Sequence, residues 1–595
     1  MRPSKLLPEM LVPCEVKNMP TEGLVWADSA FIAAQSSDAA VADKRQKITD
    51  DWSIGIDGSP CFEGVDFIGG TEQKVFGERY GGFGTAKNGG GVRCVNRGDV
   101  QAKGIGVNPL IGRDALEGYC TGSLNLLEGV TETVFSRVLN RVFPLGAAKI
   151  YGLIATGPKM STYKNADVEK FANGVDCWGA ILLREACVRP AHFFRTIDYQ
   201  RHPNYKHQLM SDVARVRRVN REFRKSCGDD KGFLGVLGQF IKNHANQFAF
   251  ARVARFAHGA ATASNLTLDG RWLDLPISSF LPGNRNYRLS LNQLPFFSEH
   301  KVLDPTIVEL AYTYGKYNEV HIDPNPLIEY YHRLYRYYLH RHCGWVLGVS
   351  SDAWPKPGQS AGADDFVEIL LDMLDDNKRM IWNSPYVLES YDPVSQLLTY
   401  LFSEGGQLYP VDTDLPKRIQ AMLDERLPAN KGLELVSSFF LGSANAAAET
   451  VATAIRALKR TLLSSLFYSG RVRSHLESLI DAEDISVYEE FIERCDRQAD
   501  WIFEDDGNLV YLYRSSDACL AWSVNEATFV VASSDGVLQK CSSASQWLQS
   551  KPKHIFCVDG YDFFPVVLKI LSAAEAITVV KSQPYEACSS FAASR

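Results

Sequence analysis

The stretch that decides the fold reads His258-Gly259-Ala260-Ala261-Thr262-Ala263-Ser264-Asn265-Leu266-Thr267-Leu268-Asp269-Gly270-Arg271-Trp272-Leu273-Asp274. Residues 266–268 alternate apolar and polar and lead into Asp269-Gly270, a pair typical of a tight hairpin turn. Such a hairpin brings Asn265 and Asp274 together, and Mg²⁺ accepts their oxygens while taking the rest of its shell from water and nucleotide phosphates. The stretch therefore predicts a metal-binding pair, with an ordinary loop and hairpin as the alternative.

A glycine-rich tract lies upstream, with glycines at 81–84 and again at Gly89, Gly90 and Gly91. Glycine allows a positive φ and lets backbone N–H groups approach a ligand closely. The three consecutive glycines are therefore candidate phosphate-binding residues. A plain loop is the alternative explanation of the cluster.

A candidate phosphate-binding lysine follows the glycines. Residues 100–103 alternate in polarity and predict a strand that ends at Lys103. Residues 121–143 carry apolar side chains at three- and four-residue spacing, which predicts a helix. Glu128 and Glu132 lie one turn apart on it, so either carboxylate can orient the lysine. A solvated acidic pair is the alternative.

Two apolar segments, residues 150–154 and 180–183, predict further strands. The second leads to Arg184 and Arg189, whose guanidinium groups form paired bonds to phosphate oxygens. A mostly helical half follows, with helices expected within residues 205–227, 232–258, 324–343 and 363–376. Short strands between residues 508 and 558, and a helix over 564–574, predict a small α+β C-terminal module.

Length and charge limit the functional classes. The chain has 595 residues, enough for two or three domains, and a formal net charge of −7, so we expect no nucleic-acid partner. Its longest apolar runs are too short to span a bilayer. The 13 cysteines are scattered without a CxxC pair, and Pro3 and Pro8 interrupt the N-terminus, so we expect a cytoplasmic protein with reduced thiols and no signal peptide.

In order, these segments resemble the selenoprotein O (YdiU-type) family of protein adenylyltransferases. The resemblance covers roughly residues 60 to 280, through residues 80–84, 91–93, 101–106, the Glu128 helix, 180–184, 189–193 and 258–274. It implies an α+β, protein-kinase-like bilobal fold. The expected parts are a leader over 1–50, a β-rich N-lobe with the glycine-rich loop over 51–195, a helical C-lobe with the metal-binding loop over 196–430, and an extra C-terminal module over 431–595.

The resemblance also implies roles for individual residues. Lys103 would contact the phosphates of ATP, and Glu128 would orient it. Arg93 and Arg184 would accompany an inverted ATP whose α-phosphate faces the acceptor, while the hairpin pair, Asn265 with its partner carboxylate, would hold Mg²⁺. The implied reaction moves AMP to a Ser, Thr or Tyr hydroxyl of an acceptor protein and releases pyrophosphate.

The chain departs from the family pattern at Ser264, where the family has an Asp that is a candidate base. A serine hydroxyl cannot act as a base near neutral pH. An acceptor carboxylate needs no base, so a second hypothesis is an ATP-dependent carboxylate-adenylating tailoring enzyme for a peptide, as in microcin maturation. A third is an ATP-binding pseudoenzyme that serves as a scaffold. Leu275-Pro276-Ile277 also follows Asp274 without the family's glycine.

Overall fold

The computed structural model describes residues 5–281 apart from 36–38, 70–71, 167, 206 and 208, and residues 294–376. It also describes 445–550 apart from 504, 506, 515–517, 534–536 and 542, together with the short pieces 286–288, 380–382, 394, 397–398, 421, 425, 557–558, 561–562 and 575. Within these ranges no helix is long and apolar enough to cross a membrane.

An eight-stranded antiparallel sheet forms the first half of the fold. Its order is β2-β7-β8-β6-β5-β4-β1-β3. The strands are β1 (Leu11–Asn18), β2 (Gly23–Ala27), β3 (Ile54–Gly55), β4 (Gln73–Glu78), β5 (Cys94–Arg97), β6 (Val100–Lys103), β7 (Ile150–Tyr163) and β8 (Val175–Glu185). The strands predicted over 100–103, 150–154 and 180–183 are confirmed as β6 and parts of β7 and β8.

Residues 1–50, which were expected to form a leader, take part in this sheet. Two strands lie there, and β1 pairs with β4 from Leu11 to Val16. Strand β1 contains Pro13, which lacks an N–H donor, and two charged residues. These residues weaken the apolar alternation that predicts a strand. In chain order, α1 (Ser29–Ala33) and α2 (Val41–Trp52) lie between β2 and β3.

Helix α4 (Leu126–Val142) lies against the sheet, after the short α3 (Glu117–Cys120). Its start is fixed by Asn125, whose side-chain oxygen accepts a hydrogen bond from the backbone N–H of Glu128 at 2.8 Å. The helix buries an apolar face that belongs to the same core as Leu153 of β7 and Leu182 of β8. The predicted helix is confirmed, and it begins a few residues later than its apolar periodicity suggested.

A helical region follows the sheet and carries the hairpin stretch. Its helices are α5 (Asp212–Cys227), α6 (Asp230–Ala254), α7 (Leu303–Asn318), α8 (Asn325–Val346) and α9 (Ala361–Asp376). Helix α6 is mostly buried and delivers the chain into β9 (Phe256–Ala257), which pairs with β10 (Ser279–Phe280). A further two-stranded pair joins β11 (Asn286–Arg288) to β12 (Met380–Trp382). The four helices predicted in this half are confirmed.

The C-terminal region begins with α10 (Ala446–Arg460), α11 (Leu463–Leu466), α12 (Ser469–Ser478) and α13 (Ser486–Phe503). A four-stranded antiparallel sheet follows as β13 (Leu509–Arg514), β14 (Ala518–Ser523), β15 (Thr528–Ser533) and β16 (Leu538–Lys540), and then come α14 (Ala544–Gln549), β17 (Cys557–Val558) and β18 (Tyr561–Asp562). The predicted α+β character is confirmed. The helix expected over 564–574 falls outside the described residues.

Helix α13 packs on the outer side of α4. Asp496 accepts from Arg137 at 2.5 Å and from Arg141 at 3.1 Å, and Arg141 also donates to Asp500 at 2.6 Å. Tyr488 of α13 belongs to the same apolar core as the residues of α4. The C-terminal region therefore supports the helix that carries Glu132.

Replacing Asn125 by Ala tests the start of α4. The substitution removes the N-cap acceptor and is expected to destabilise the helix by about 1 kcal/mol. Hydrogen exchange of the amides in the first two turns of α4 should become about fivefold faster. Asn173→Ala, at an exposed turn, is the control and should leave this exchange unchanged; equal effects of both substitutions would contradict the capping role.

Candidate functional site

The hairpin predicted from Asp269-Gly270 is present. Thr267 N donates to Arg271 O at 3.0 Å, and Leu273 N donates to Asn265 O at 3.1 Å. Gly270 has φ 101°, and a Cβ atom there would lie 2.3 Å from Leu145 Cδ1, so the turn requires glycine. The two arms therefore hold positions 265 and 274 close together.

Asn265 and Asp274 differ in their surroundings. Asn265 donates its side-chain Nδ2 to Ala260 O at 2.9 Å, which turns its Oδ1 toward the hydroxyl of Ser264 at 3.4 Å. Asp274 has φ 63°, in the left-handed region, and its Oδ1 accepts from Lys103 Nζ at 2.6 Å. The Asp274 side chain is 37% exposed, whereas that of Lys103 is 4% exposed. The site thus opens to solvent on the side of Asp274.

Glu132, rather than Glu128, is the partner of Lys103. Lys103 Nζ lies 2.7 Å from Glu132 Oε2, and the other oxygen of Glu132 accepts from Arg184. Glu128 faces Arg93 at 3.7 Å. The prediction that Glu128 orients the lysine is therefore replaced by its alternative, because Glu132 lies one turn deeper on α4 with its side chain 2% exposed, while Glu128 is 38% exposed in the first turn.

These neighbouring charges keep each group ionised. Burial disfavours the charged form of Lys103, but Asp274 and Glu132 outweigh burial and raise its pKa. Burial also disfavours the carboxylate of Glu132, but Lys103 and Arg184 outweigh it and lower that pKa. Burial also raises the pKa of Asp274, but Lys103 and Arg184 outweigh it and hold that pKa well below its ordinary range. The cluster holds two cations and two anions at neutral pH.

Arg93 closes one side of the site. Its Nη1 donates to Ser123 O at 2.8 Å, and its guanidinium lies 5.7 Å from the ring centre of Tyr119. Burial disfavours its charge, but Glu128 and Asp274 outweigh burial and raise its pKa. Arg93 therefore adds a third fixed positive charge near Asp274.

A deeper polar layer supports the site and contains Arg184 and Arg189, which the sequence predicted as phosphate ligands. Gln101 accepts from Arg184 Nε at 2.8 Å and donates to Glu78. Arg189 lies 3.0 Å from Glu78 and donates to Ser264 O at 2.9 Å, so it joins the sheet to the hairpin stretch. Gln101 precedes the lysine of β6 by two positions and shares its strand face, which was the available signal. Glu78 had no such signal.

Glu78 is a buried carboxylate surrounded by cations. Burial raises its pKa, but Arg189 and His192 outweigh burial and bring the pKa to about 2. His192 lies 2.9 Å from Glu78, and its own pKa is lowered, mainly by burial. Glu78 therefore balances the arginines that hold the hairpin stretch.

The two groups of glycines occupy different places. Gly84 lies over the hairpin stretch, since a Cβ atom there would be 3.2 Å from Thr262 Oγ1 and 3.3 Å from Ser264 Oγ. Gly89 N instead donates to Leu110 O at 2.7 Å, and Gly91 N donates to Glu78 O at 2.9 Å. Gly90 forms a bridge with Arg79.

Gly89, Gly90 and Gly91 were predicted to bind phosphate through their backbone N–H groups. Two of these three donors, those of Gly89 and Gly91, are therefore occupied within the protein. These donors are already bonded to carbonyl groups, because the segment packs against Leu110 and the end of β4. Gly84, not assigned a role from the sequence, is the glycine that the structure brings to the hairpin stretch.

Glu299 holds the first two residues of the hairpin stretch, His258 and Gly259. Its two carboxylate oxygens accept from the backbone N–H of His258 at 3.0 Å and of Gly259 at 2.7 Å. Burial raises the pKa of Glu299 to about 7, although both N–H groups favour the ionised form. No local sequence pattern marked this residue.

The residues fit a nucleotide-bound Mg²⁺ better than a protein-caged metal. Among the residues that the structure describes, no group of three or more His, Cys, Asp or Glu side chains forms a metal site. Asp274 is ionised and partly exposed, and Asn265 presents its oxygen, so together they offer two ligands. A Mg²⁺ ion bound here would take its remaining ligands from phosphates and water.

Replacing Glu132 by Gln tests the buried ion pairs. The change leaves Lys103 and Arg184 buried with less opposing charge and is expected to destabilise the protein by roughly 3 kcal/mol. Glu128→Gln, on the exposed first turn, is the matched control and should cost less than about 1 kcal/mol. Denaturant midpoints of the two variants measure the difference; similar midpoints would contradict the assignment of Glu132.

The pH dependence of stability tests Glu299. The folded chain holds the proton of this group more tightly than the unfolded chain, where the pKa has its ordinary value of 4.5. Its contribution is therefore fully present below that value and is lost as pH rises to about 7. Glu299→Gln should remove this pH dependence of the free energy of unfolding, which amounts to at most roughly 3 kcal/mol in total. Denaturant midpoints of the variant and the wild type across the pH range measure the difference. Parallel curves for the two proteins would refute the shift.

No protein-family model matches this chain, and no curated protein sequence matches it. The feature of the molecule that indicates a function is the geometry around Lys103, Glu132, Arg184 and Asp274.

Proposed function

We propose that this chain is a Mg²⁺- and ATP-dependent adenylyltransferase with a protein-kinase-like bilobal fold. It would move AMP from ATP to a Ser, Thr or Tyr hydroxyl of an acceptor protein and release pyrophosphate. The observation that carries the proposal is the buried ammonium of Lys103, held between Glu132 of α4 and Asp274 of the hairpin. Kinase-like enzymes place a strand lysine, a helix glutamate and a metal-binding Asp in these relations.

The order of the elements supports the bilobal interpretation. The antiparallel sheet supplies the lysine, α4 supplies the glutamate, and the helical region that follows supplies the hairpin after α6. Gly84 of the glycine-rich tract lies over that hairpin stretch. A nucleotide bound between sheet and helices would meet groups from both sides.

The charges suit a triphosphate. Lys103 and Arg184 are buried cations and Arg93 is a partly buried one, and their charges are held in place to neutralise phosphate oxygens. Asn265 and Asp274 would hold Mg²⁺, which supplies charge neutralisation and orientation of the phosphates. Catalysis of this kind is mostly positioning and electrostatic stabilisation.

The transfer is a displacement at the α-phosphorus of ATP. The acceptor oxygen forms a bond to that phosphorus, the bond between the α-phosphorus and its bridging oxygen breaks, and pyrophosphate leaves. The hydroxyl proton passes to water, since Ser264 hydrogen-bonds to the Thr262 hydroxyl at 2.8 Å and offers no basic group.

The same hydroxyl pair favours a second candidate function. A carboxylate acceptor carries no proton to remove, so its adenylation requires no base at Ser264. The product would be an acyl-AMP, and the chain would act as a carboxylate-adenylating tailoring enzyme on a peptide. A scaffold that binds ATP without turnover is the non-enzymatic candidate.

The position of the label in ATP tests the proposal. The full-length chain with Mg²⁺ and α-labelled ATP should label itself or an added acceptor protein, whereas γ-labelled ATP should not. Lys103→Ala and Asp274→Ala should lower labelling at least about hundredfold, since each removes a group that contacts the phosphates or the metal. Lys149→Ala, on the surface, is the matched control and should retain activity.

Other outcomes select the alternatives. Label transferred only from the γ-phosphate would refute adenylylation and indicate a kinase. Pyrophosphate exchange that depends on an added carboxylate would favour the tailoring enzyme. Nucleotide binding without turnover would identify a scaffold, and unchanged Mg·ATP affinity in both site variants would refute the site itself.

A further inference from the structure

Arg79 is a buried cation on the side of β4 that faces away from Lys103. It directly follows Glu78, and consecutive residues of an extended strand point to opposite faces. The residue is 2% exposed, and in the part of the chain that the structure describes, its Nε and Nη2 have no hydrogen-bond partner. Asp212 Oδ1 lies 3.8 Å from Nη2, beyond hydrogen-bond distance.

Two buried hydroxyl groups in the neighbourhood also lack partners within the described residues. They belong to Thr196 and Tyr199. Thr196 is adjacent to Asp212, because its backbone N–H donates to Asp212 Oδ2 at 2.9 Å. Burial raises the pKa of Tyr199 to about 12, and the nearby charges of Arg79 and Arg201 act against that rise. Unsatisfied buried donors of this kind are rare in native proteins.

Two buried arginines, Arg79 and Arg215, share the carboxylate of Asp212. The charges of Arg215 and Arg201 oppose the charge of Arg79, and Asp212 favours it. Asp212 is already bonded to Arg215 Nε at 2.8 Å, and Arg215 also donates to His192 O at 2.6 Å. Burial and the charge of Arg215 together lower the pKa of Arg79 to about 10. A buried cation is costly when its nearest carboxylate lies 3.8 Å away and is already bonded to another arginine, and a bound anion would offset that cost.

We propose that Arg79, Thr196 and Tyr199 form a binding site for a small tetrahedral oxyanion of the inorganic phosphate type. Nε and Nη2 form the guanidinium edge that binds two oxygens of one phosphate with parallel N–H bonds. The two hydroxyls supply further donors to the remaining oxygens. The enclosure of Arg79 restricts the ligand to a small free ion and excludes a peptide or a membrane surface.

The site is coupled to the glycine-rich tract. The Tyr199 ring lies 2.8 Å from the position of a Cβ atom at Gly89, and Gly82 N donates to Arg195 O at 2.8 Å. A bound anion would therefore stabilise the segment around residues 195–199 and the glycines that rest on it. The anion site shares no residue with the cluster around Lys103, so it does not depend on the proposed function.

Phosphate binding by the full-length chain tests the proposal. Titration calorimetry with sodium phosphate, against sodium chloride of equal ionic strength, should give saturable binding at one site. Arg79→Met should weaken this binding at least about tenfold, because it removes the bidentate donor. Arg218→Met, at an exposed position of α5, is the matched control and should bind as the wild type does.

Two further variants make the test decisive. Lys103→Met should retain phosphate binding, which separates this site from the nucleotide site. Tyr199→Phe removes one donor with little change of volume and should weaken phosphate binding a few-fold, so it decides the question if Arg79→Met does not fold. Absence of saturable binding to the wild type, or equal affinity in the wild type and folded Arg79→Met or Tyr199→Phe, would overturn the proposal.

Discussion

The buried ammonium of Lys103 is the constraint on which the site depends. A charge at 4% exposure is tolerated only when opposite charges are placed within contact distance. Glu132 and Asp274 meet that requirement from two separate elements, a helix packed on the sheet and a hairpin that follows α6. The ion pairs thereby fix the sheet, the helix and the hairpin relative to one another.

The C-terminal region extends this arrangement outward. Helix α13 pairs its acidic residues with Arg137 and Arg141 on the outer side of α4, while Glu132 points inward from the same helix. The region therefore contacts the helix that carries Glu132, although its own sequence carries no chemical motif.

Much of this arrangement was predictable from local pattern. The strand of Lys103, the helix after it and the hairpin before Asp274 follow from periodicity and turn chemistry, which act over a few residues. The choice between Glu128 and Glu132 was not predictable, because both lie on one helix face and only packing against the sheet separates them. Glu299 meets its two backbone donors across some 40 positions of chain, a relation that only the tertiary fold creates.

The left-handed backbone at Asp274 has a consequence for how this chain can change over time. Gly, Asn and Asp adopt that conformation more readily than most residues, and of these three only Asp carries a charge. Replacement of Asp274 by Asn or Gly would therefore keep the hairpin at little cost but remove the anion that faces Lys103. A single substitution in a lineage is enough to remove this ion pair from a protein that still folds.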